Sequence, residues 1–442
     1  MKQKKRYVIC GLSTRGIYHF VLPLLGKSQR GGTDFSDGCE VVGILDIDRE
    51  RVETFLEKIE TKIPFYHADD LDQMLRETRP DVLIAVGPDV THCEHAIAGL
   101  KAGCDVIVEK PMVINCEQAR RLRAAEKESG RRVSVAFNYR YTPTHQRLKR
   151  MILDGKLGRI INVEFTYNLD TWHGSSYFYR WNRNRAISGG LNIHKCCHHF
   201  DLMNWFLGDT PAEVFAFGGL NYYGANGALR PRDAQGNPLS PVEEKRQCPV
   251  FRRHYADKYE PDSNEIRTGW GEFKLPMDVQ YPPDKRRYIY DDEIAIEDTY
   301  NAVIRYKGGT TLSYACNFCT PWEGYVLGIN GTAGRVEITH RSDPDPTGKT
   351  NPASSSGLIV FYPLFGGRED IEIPAVAGGH GGADFSIQND LILGPSENSQ
   401  ELKLVAGISD GANAVAIGEA VVRSIHTHQS ISIPDLLAGR LD

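Results

Sequence analysis

The feature that most constrains the fold is a short apolar strand, Tyr7-Val8-Ile9-Cys10, that runs straight into Gly11-Leu12-Ser13-Thr14-Arg15-Gly16. An apolar strand ending on a glycine turn that opens a helix is the entry to a dinucleotide-binding unit. The next segments continue it. Val41-Val42-Gly43-Ile44-Leu45 ends on Asp46, Asp81-Val82-Leu83-Ile84-Ala85-Val86 is apolar after its first residue, and Val106-Ile107-Val108 ends on Glu109-Lys110-Pro111. Helical spacing over 49–58, 71–77, 92–102 and 116–129 separates these strands, and another strand follows at 133–137. Continuous apolar strands alternating with helices predict an α/β fold, a doubly wound parallel sheet covered on both faces. Ligands of such sheets sit at the carboxyl ends of the strands, which is where Lys110 falls. Residues 22–39 are expected to form a surface excursion in the first crossover.

Beyond about residue 140 the pattern changes to alternation. Segments 160–167, 302–306, 311–315 and 334–338 read as half-buried antiparallel strands, with Lys307-Gly308-Gly309 as a hairpin turn. Residues 410–426 have helical spacing, and 224–292 is a long insertion rich in Pro, Arg, Asp and Tyr. At 442 residues one small core is unlike the general size rule, so two domains are expected, 1–140 and 141–442. A net charge of -5 without a basic block argues against nucleic acid or an anionic membrane as partner. No apolar run has transmembrane length, and too few apolar residues follow the basic start for a signal peptide. Ten cysteines in no secreted framework point to reduced thiols in a cytoplasm.

Three groups of residues carry chemistry. In Gly11-x-Ser13-x-x-Gly16 a serine replaces the middle glycine, implying a looser approach to pyrophosphate or a hydroxyl bonded to it. Asp46 can accept ribose hydroxyls and repel a 2'-phosphate, which favours NAD over NADP, although nearby Arg49 keeps that choice open. The run His194-Lys195-Cys196-Cys197-His198-His199 reads as helix and places His194 and His198 at i and i+4, on one face. No metal is expected there, because a third ligand is not evident and Lys195 adds a positive charge. The aromatic stretch 167–181 combines rings and polar groups as sugar sites do. Cys316 and Cys319 read as structural thiols rather than half a zinc ribbon.

The nucleotide start, Pro88-Asp89-Val90-Thr91-His92, Glu109-Lys110-Pro111, Asn138-Tyr139-Arg140-Tyr141-x-Pro143 and the Gly189-Gly190…His198…Asp201 block together resemble the glucose–fructose oxidoreductase / inositol dehydrogenase family (Gfo/Idh/MocA). The resemblance implies an N-terminal Rossmann domain and a C-terminal α/β domain with a large, mostly antiparallel open sheet. That sheet is expected to make homo-oligomer contacts, as a dimer or tetramer. It further implies bound NAD(P), a carbohydrate or glycoside substrate, and a Lys-Pro bond that is commonly cis. Position by position, Lys110 and His198 resemble the family's catalytic pair, with His194 as helper. Gly11, Ser13, Thr14, Arg15, Gly16, Asp46, Pro88, His92, Glu109 and Lys110 would hold the cofactor. Lys195, Trp172, His173, Asn168, Tyr141 and Arg180 would bind substrate.

The family usually has Asp where this chain has His194. His198 is the expected base, with Lys110 stabilising the developing alkoxide, and His194→Asp is expected to restore the usual pair and retain activity. The histidine-rich surroundings resemble a subgroup that acts on glycosides and yields 3-keto sugars. The alternative is a glycosidase that oxidises C3 transiently, eliminates the anomeric substituent and returns the hydride. A sensing protein without turnover is the third reading, and Lys110 with His198 argues against it.

Overall fold

The computed structural model describes residues 3–28, 32–255, 272–276, 287–343, 357–376 and 382–441. In chain order the first strands are β1 (Lys5–Cys10), β2 (Cys39–Asp46), β3 (Phe65–His67), β4 (Val82–Ala85), β5 (Asp105–Val108) and β6 (Val133–Val135). Then come β7 (Ile160–Asp170), β8 (Pro211–Gly219), β9 (Thr299–Tyr306), β10 (Thr311–Thr320), β11 (Glu323–Gly331), β12 (Gly334–Ser342), β13 (Gly357–Pro363) and β14 (Glu369–Ile373). Two short strands close the series, β15 (Ala406–Gly407) and β16 (Ile431–Ser432).

The first sheet has the order β15-β6-β5-β4-β1-β2-β3, parallel throughout β1 to β6. The order reverses at β1, so the carboxyl ends of β1 and β4 flank the crevice of a doubly wound sheet. Val8, Ile9, Leu83, Ile84 and Val108 are fully buried, as strands covered on both faces require. The helices over Arg49–Lys58 and Cys116–Ser129 have their predicted bounds because each carries its own stop signals. Asp48 accepts from Arg51 N (3.0 Å), Asn115 accepts from Gln118 N (2.8 Å), and Gly130 ends its helix at φ 66°. β15 was not foreseen: two residues from far down the chain pair antiparallel with β6.

The second sheet runs β14-β13-β12-β11-β7-β10-β9-β8-β16, with β7 and β10 parallel and the other pairs antiparallel. Alternation places Tyr300, Ala302, Ile304 and Tyr306 of β9 inward. The helix Ile408–Thr427 covers this inner face, packing on β8 and on the helix Cys197–Leu207. No helix among the described residues is long and apolar enough to cross a membrane.

Two expectations change. The predicted excursion at 22–39 begins as buried helix, since the turn after β1 continues to Leu24 and Leu22, Leu24 and Phe35 join the core. In the 224–292 insertion, Pro241–Gln247 and Pro249–His254 are helical, while 256–271 and 277–286 lie outside the described residues. Phe273 of this insertion packs edge-on to Phe55, with centroids 5.2 Å apart, beside the nucleotide crevice.

The two sheets are joined through a buried cation. Arg140 donates to both oxygens of Asp201 (2.8 and 2.5 Å) and approaches Asp410 at 3.0 Å. This ties the helix that carries His198 to the helix Ile408–Thr427. Burial pushes the Asp201 carboxyl up to about 6 even against Arg140. Arg140→Ala, which strands that carboxylate, is expected to cost about 3–5 kcal/mol of unfolding free energy in denaturant titrations. A loss under about 1 kcal/mol would show that the ion pair does not hold the helices together.

Candidate active site

Gly11 ends β1 at φ 102°, and a Cβ there would stand 2.5 Å from Gly87 Cα. Only glycine lets the first turn lie against the loop after β4. Ser13 stands in the turn that follows, where the middle glycine is replaced. Its hydroxyl donates to Val86 O (3.0 Å) and accepts from Gly16 N (3.0 Å), capping the helix that Gly16 enters. Asp46, at the end of β2, accepts from Leu12 N (2.6 Å) and Asp48 N (3.0 Å) and lines the crevice. The arginine beside it is Arg51, at 3.4 Å, whereas Arg49 stacks on Phe65 and pairs with Glu53.

Arg15 and Glu109 reach the crevice already paired. Arg15 Nε donates to Glu109 Oε1 (2.7 Å), and its Nη1 bonds Asp384 Oδ1 (3.1 Å) from the helix Ala383–Leu393. They brace the floor of the cleft as well as lining it. His92 contacts Pro111 O (2.8 Å) and Gly87 O (3.1 Å), pinning the cis Lys110-Pro111 turn to the loop after β4.

One cleft of about 530 Å³ joins these residues to the histidine block. It is lined by Gly11, Ser13, Thr14, Arg15, Asp46, Pro88, His92, Glu109, Lys110, His173, Arg180, His194, Lys195 and His198. Gly16 stands behind the turn. Three predicted substrate residues are not among the cleft lining. Tyr141 is buried, and burial raises its phenol with Asp390 alongside; Asn168 bonds Asn317 across β7 and β10; Trp172 points outward, 40% exposed.

The histidines do not share one continuous helix. Leu191–His194 ends at His194, and a new helix starts at Cys197. Cys196 N bonds Leu191 O in a widened turn, so His194 and His198 approach the cleft from two separate helices. His198 lies flat against Tyr139, centroids 4.4 Å apart and planes 15° apart. His199 does not line the cleft. It accompanies Cys196 and Cys316 in the core, their donor atoms within 4.8 Å, and burial pushes the Cys196 thiol up.

Asp89 was quoted in a motif without a role, yet it supplies the carboxylate that position 194 lacks. Its Oδ2 is 2.5 Å from His194 Nδ1, and His194 Nε2 meets Asn182 (3.1 Å). Lys110 Nζ donates to His194 O (3.2 Å). Burial pushes Asp89 up and pushes His194 and Lys110 down, so all three move towards their neutral forms. Lys195 behaves oppositely. Burial would depress it, but Tyr139, Tyr167, Tyr177 and Glu323 outweigh burial and keep its ammonium charged. The cleft therefore holds one lysine able to exchange a proton and one fixed cation.

This geometry reverses the expectation for position 194. An aspartate there would face the Asp89 carboxylate in a buried setting, and one of the two would have to stay protonated. His194→Asp is expected to lose about 1–3 kcal/mol of stability relative to His194→Asn, and Asp89→Asn added to it should recover most of that. Equal unfolding free energies for His194→Asp with and without Asp89→Asn would contradict the pairing.

The sequence profile described as "oxidoreductase family, NAD-binding Rossmann fold" matches residues 5–137, and "oxidoreductase family, C-terminal alpha/beta domain" matches 149–433. The chain is 40% identical to the Bacillus subtilis protein named as oxidoreductase YteT over 98% of each chain. It is 30% identical to Bacillus subtilis glucose-6-phosphate 3-dehydrogenase, over 38% of this chain and 47% of the relative. With Escherichia coli D-glucoside 3-dehydrogenase it shares 35% over 21% of this chain and 26% of the relative. A solved levoglucosan dehydrogenase, in complex with NADH and levoglucosan, has the same fold at TM-score 0.64 and 17% identity, covering 98% of this chain and all of that one. Two family profiles spanning nearly the whole chain, over the Rossmann crevice and the open second sheet described above, place the protein in the Gfo/Idh/MocA oxidoreductase family.

Proposed function

We propose that the protein oxidises a secondary hydroxyl, at C3, of a sugar or glycoside, with NAD as hydride acceptor. The observation that carries this reading is one continuous cleft with a dinucleotide turn at one end and Lys110, His194 and His198 at the other. Relatives named as 3-dehydrogenases of glucose derivatives support the choice of carbon.

The residues fit the cofactor. The Gly11 turn lines the cleft directly, packed on the loop after β4 as only glycine allows, and Asp46 presents a carboxylate suited to ribose hydroxyls and hostile to a 2'-phosphate. When bound, NAD supplies the acceptor for the carbinol hydride. The protein handles the proton. His198, held in plane by Tyr139, takes it from the substrate hydroxyl. Lys110, whose ammonium is weakened by burial, bonds the same oxygen as charge develops. His194, backed by Asp89, lies beside Lys110 and supports its proton exchange. Lys195 and Arg180 face the sugar as hydrogen-bond donors.

The ten free cysteines, nine of them buried, support a cytoplasmic setting. The outer face of the second sheet supports a homo-oligomer: Phe215 faces Val303 across β8 and β9, both are exposed, and Phe217 is 59% exposed nearby. Phe217→Glu with Val303→Glu should lower the mass measured by light scattering, and an unchanged mass would remove this face from the assembly.

The function is tested by mixing the protein with NAD and a panel of glycosides while following absorbance and products. NADH and 3-keto products are expected, and their absence across the panel would overturn the reading. Lys110→Ala should lower turnover by about two to four orders of magnitude with NAD binding kept; near wild-type turnover would remove Lys110 from the mechanism. Asp46→Ala should weaken NAD binding and relax discrimination against NADP, and unchanged affinities would show that Asp46 is not the ribose carboxylate.

A further inference from the structure

Behind the histidine block, away from the cleft lining, three side chains able to ligate a metal converge. Cys196 stands in the widened turn between the helices Leu191–His194 and Cys197–Leu207, and His199 lies in the first turn of the second. Cys316 comes from β10, where alternation turns Tyr314, Cys316 and Phe318 inward and buries each of them. A nitrogen of His199 and the two sulfurs lie within 4.8 Å of one another, and all three residues are 0% exposed. His199 Nδ1 is 2.8 Å from the Tyr314 hydroxyl, which also makes hydrogen-bond contact with both sulfurs. His199 Nε2 is buried with no hydrogen-bond partner among the described residues. The ring stacks on Tyr167, centroids 4.3 Å apart, with Phe165 at 5.4 Å.

The run 194–199 offers no third ligand of its own, but the fold brings Cys316 to it from more than a hundred residues further on. Cys319 falls on the other side of the strand alternation and is partly exposed, so the group is not a local Cys-x-x-Cys pair. A polar atom left without a partner in a dry core is unfavourable, and a bond to a metal removes that cost. Burial keeps the His199 ring neutral, the form that ligates. Charge selects the ion. Two thiolates cancel the charge of Zn2+, so the complex is neutral where no water can solvate it. The nearby ammonium of Lys195 therefore does not exclude this dication.

We propose that Cys196, His199 and Cys316 form a structural zinc site, with the Tyr314 hydroxyl, which contacts all three, as the fourth donor. Each S–H bond breaks as its electron pair forms a Zn–S bond, and two protons leave to solvent; no electron changes hands. Bonds of about 2.3 Å to sulfur and about 2.0–2.1 Å to nitrogen set the ligand atoms of tetrahedral zinc about 3.5–3.8 Å apart, a spacing that rotation of these side chains reaches. The ion fastens the turn that carries Lys195 and His198 to β10 of the second sheet. It takes no part in the reaction, and the inference stands apart from the proposed oxidation.

The test is the metal content of the full-length protein, produced without a histidine tag in medium supplied with zinc and dialysed against EDTA. About one zinc per chain is expected, because a closed structural site retains its ion. Cys316→Ala and His199→Phe should each lower the content at least about tenfold, and Cys319→Ala should leave it unchanged. Protein grown with cobalt in place of zinc should show a thiolate-to-cobalt charge-transfer band that the same two changes remove. Should both variants fail to fold, X-ray absorption at the zinc edge of the wild type decides, with two sulfur neighbours at about 2.3 Å expected. Less than about half an equivalent of zinc in the wild type overturns the proposal. So does zinc retained in folded Cys316→Ala, a coordination shell without sulfur, or a Cys196–Cys316 disulfide in the isolated protein.

Discussion

The structure depends on holding a lysine ammonium, Lys110, at the dry carboxyl edge of a parallel sheet without a dedicated counter-ion. Water would solvate that charge, and the cleft does not. Burial meets the cost by pushing Lys110 towards its neutral amine, and its neighbours shift the same way: Asp89 is raised and His194 lowered, with 2.5 Å between them. The backbone is fixed independently. His92 ties the Lys110-Pro111 turn to Gly87, and Arg15 pairs with the adjacent Glu109 and offsets its charge, so burial outweighs that carboxylate and still pushes the Lys110 ammonium down. The result is an amine poised for proton exchange.

Both sheets are needed for this arrangement. The parallel sheet supplies Lys110 and Asp89, whereas His194, Lys195 and His198 come from the helices that precede β8. Arg140 with Asp201 and Asp410 locks the His198 helix in place, and Asp384 reaches Arg15 across most of the chain length. The contrast between Lys110 and Lys195 follows from surroundings alone. Lys195 lies 5.1 Å from the Tyr167 ring centroid, with Tyr139 and Tyr177 near and the ionised Glu323 in range, and so keeps its charge.

Much of this was legible in the sequence because it is local. The strands at 7–10, 82–86 and 106–108 are apolar runs with their own stop signals, and the helices at 49–58 and 116–129 carry caps within a few residues. The lysine and the histidine block announced themselves by residue type. What was hidden is non-local or depends on backbone detail. β15 is two residues long and exists only because β6 offers an edge. Asp89 partners His194 across more than a hundred residues, and no periodicity links them. The break at Cys196 puts the two histidines on separate helices, which a spacing rule for a continuous helix misses. Asn168 and Trp172 belonged to a suitably polar and aromatic stretch, and Tyr141 to the motif after β6, but Asn168 bonds across the sheet, Trp172 is exposed and Tyr141 is buried beside Asp390.

The central claim is that the cleft passes hydride from a sugar carbinol to NAD while the protein takes the proton. The most direct measurement offers the purified protein a glycoside labelled with deuterium at C3, together with NAD, and analyses the reduced cofactor by mass spectrometry and NMR. The account predicts one deuterium at C4 of the nicotinamide and a matching amount of 3-ketoglycoside before any further reaction. Reduced cofactor without the label, or turnover of the labelled glycoside with the C3 deuterium never leaving carbon, would contradict it.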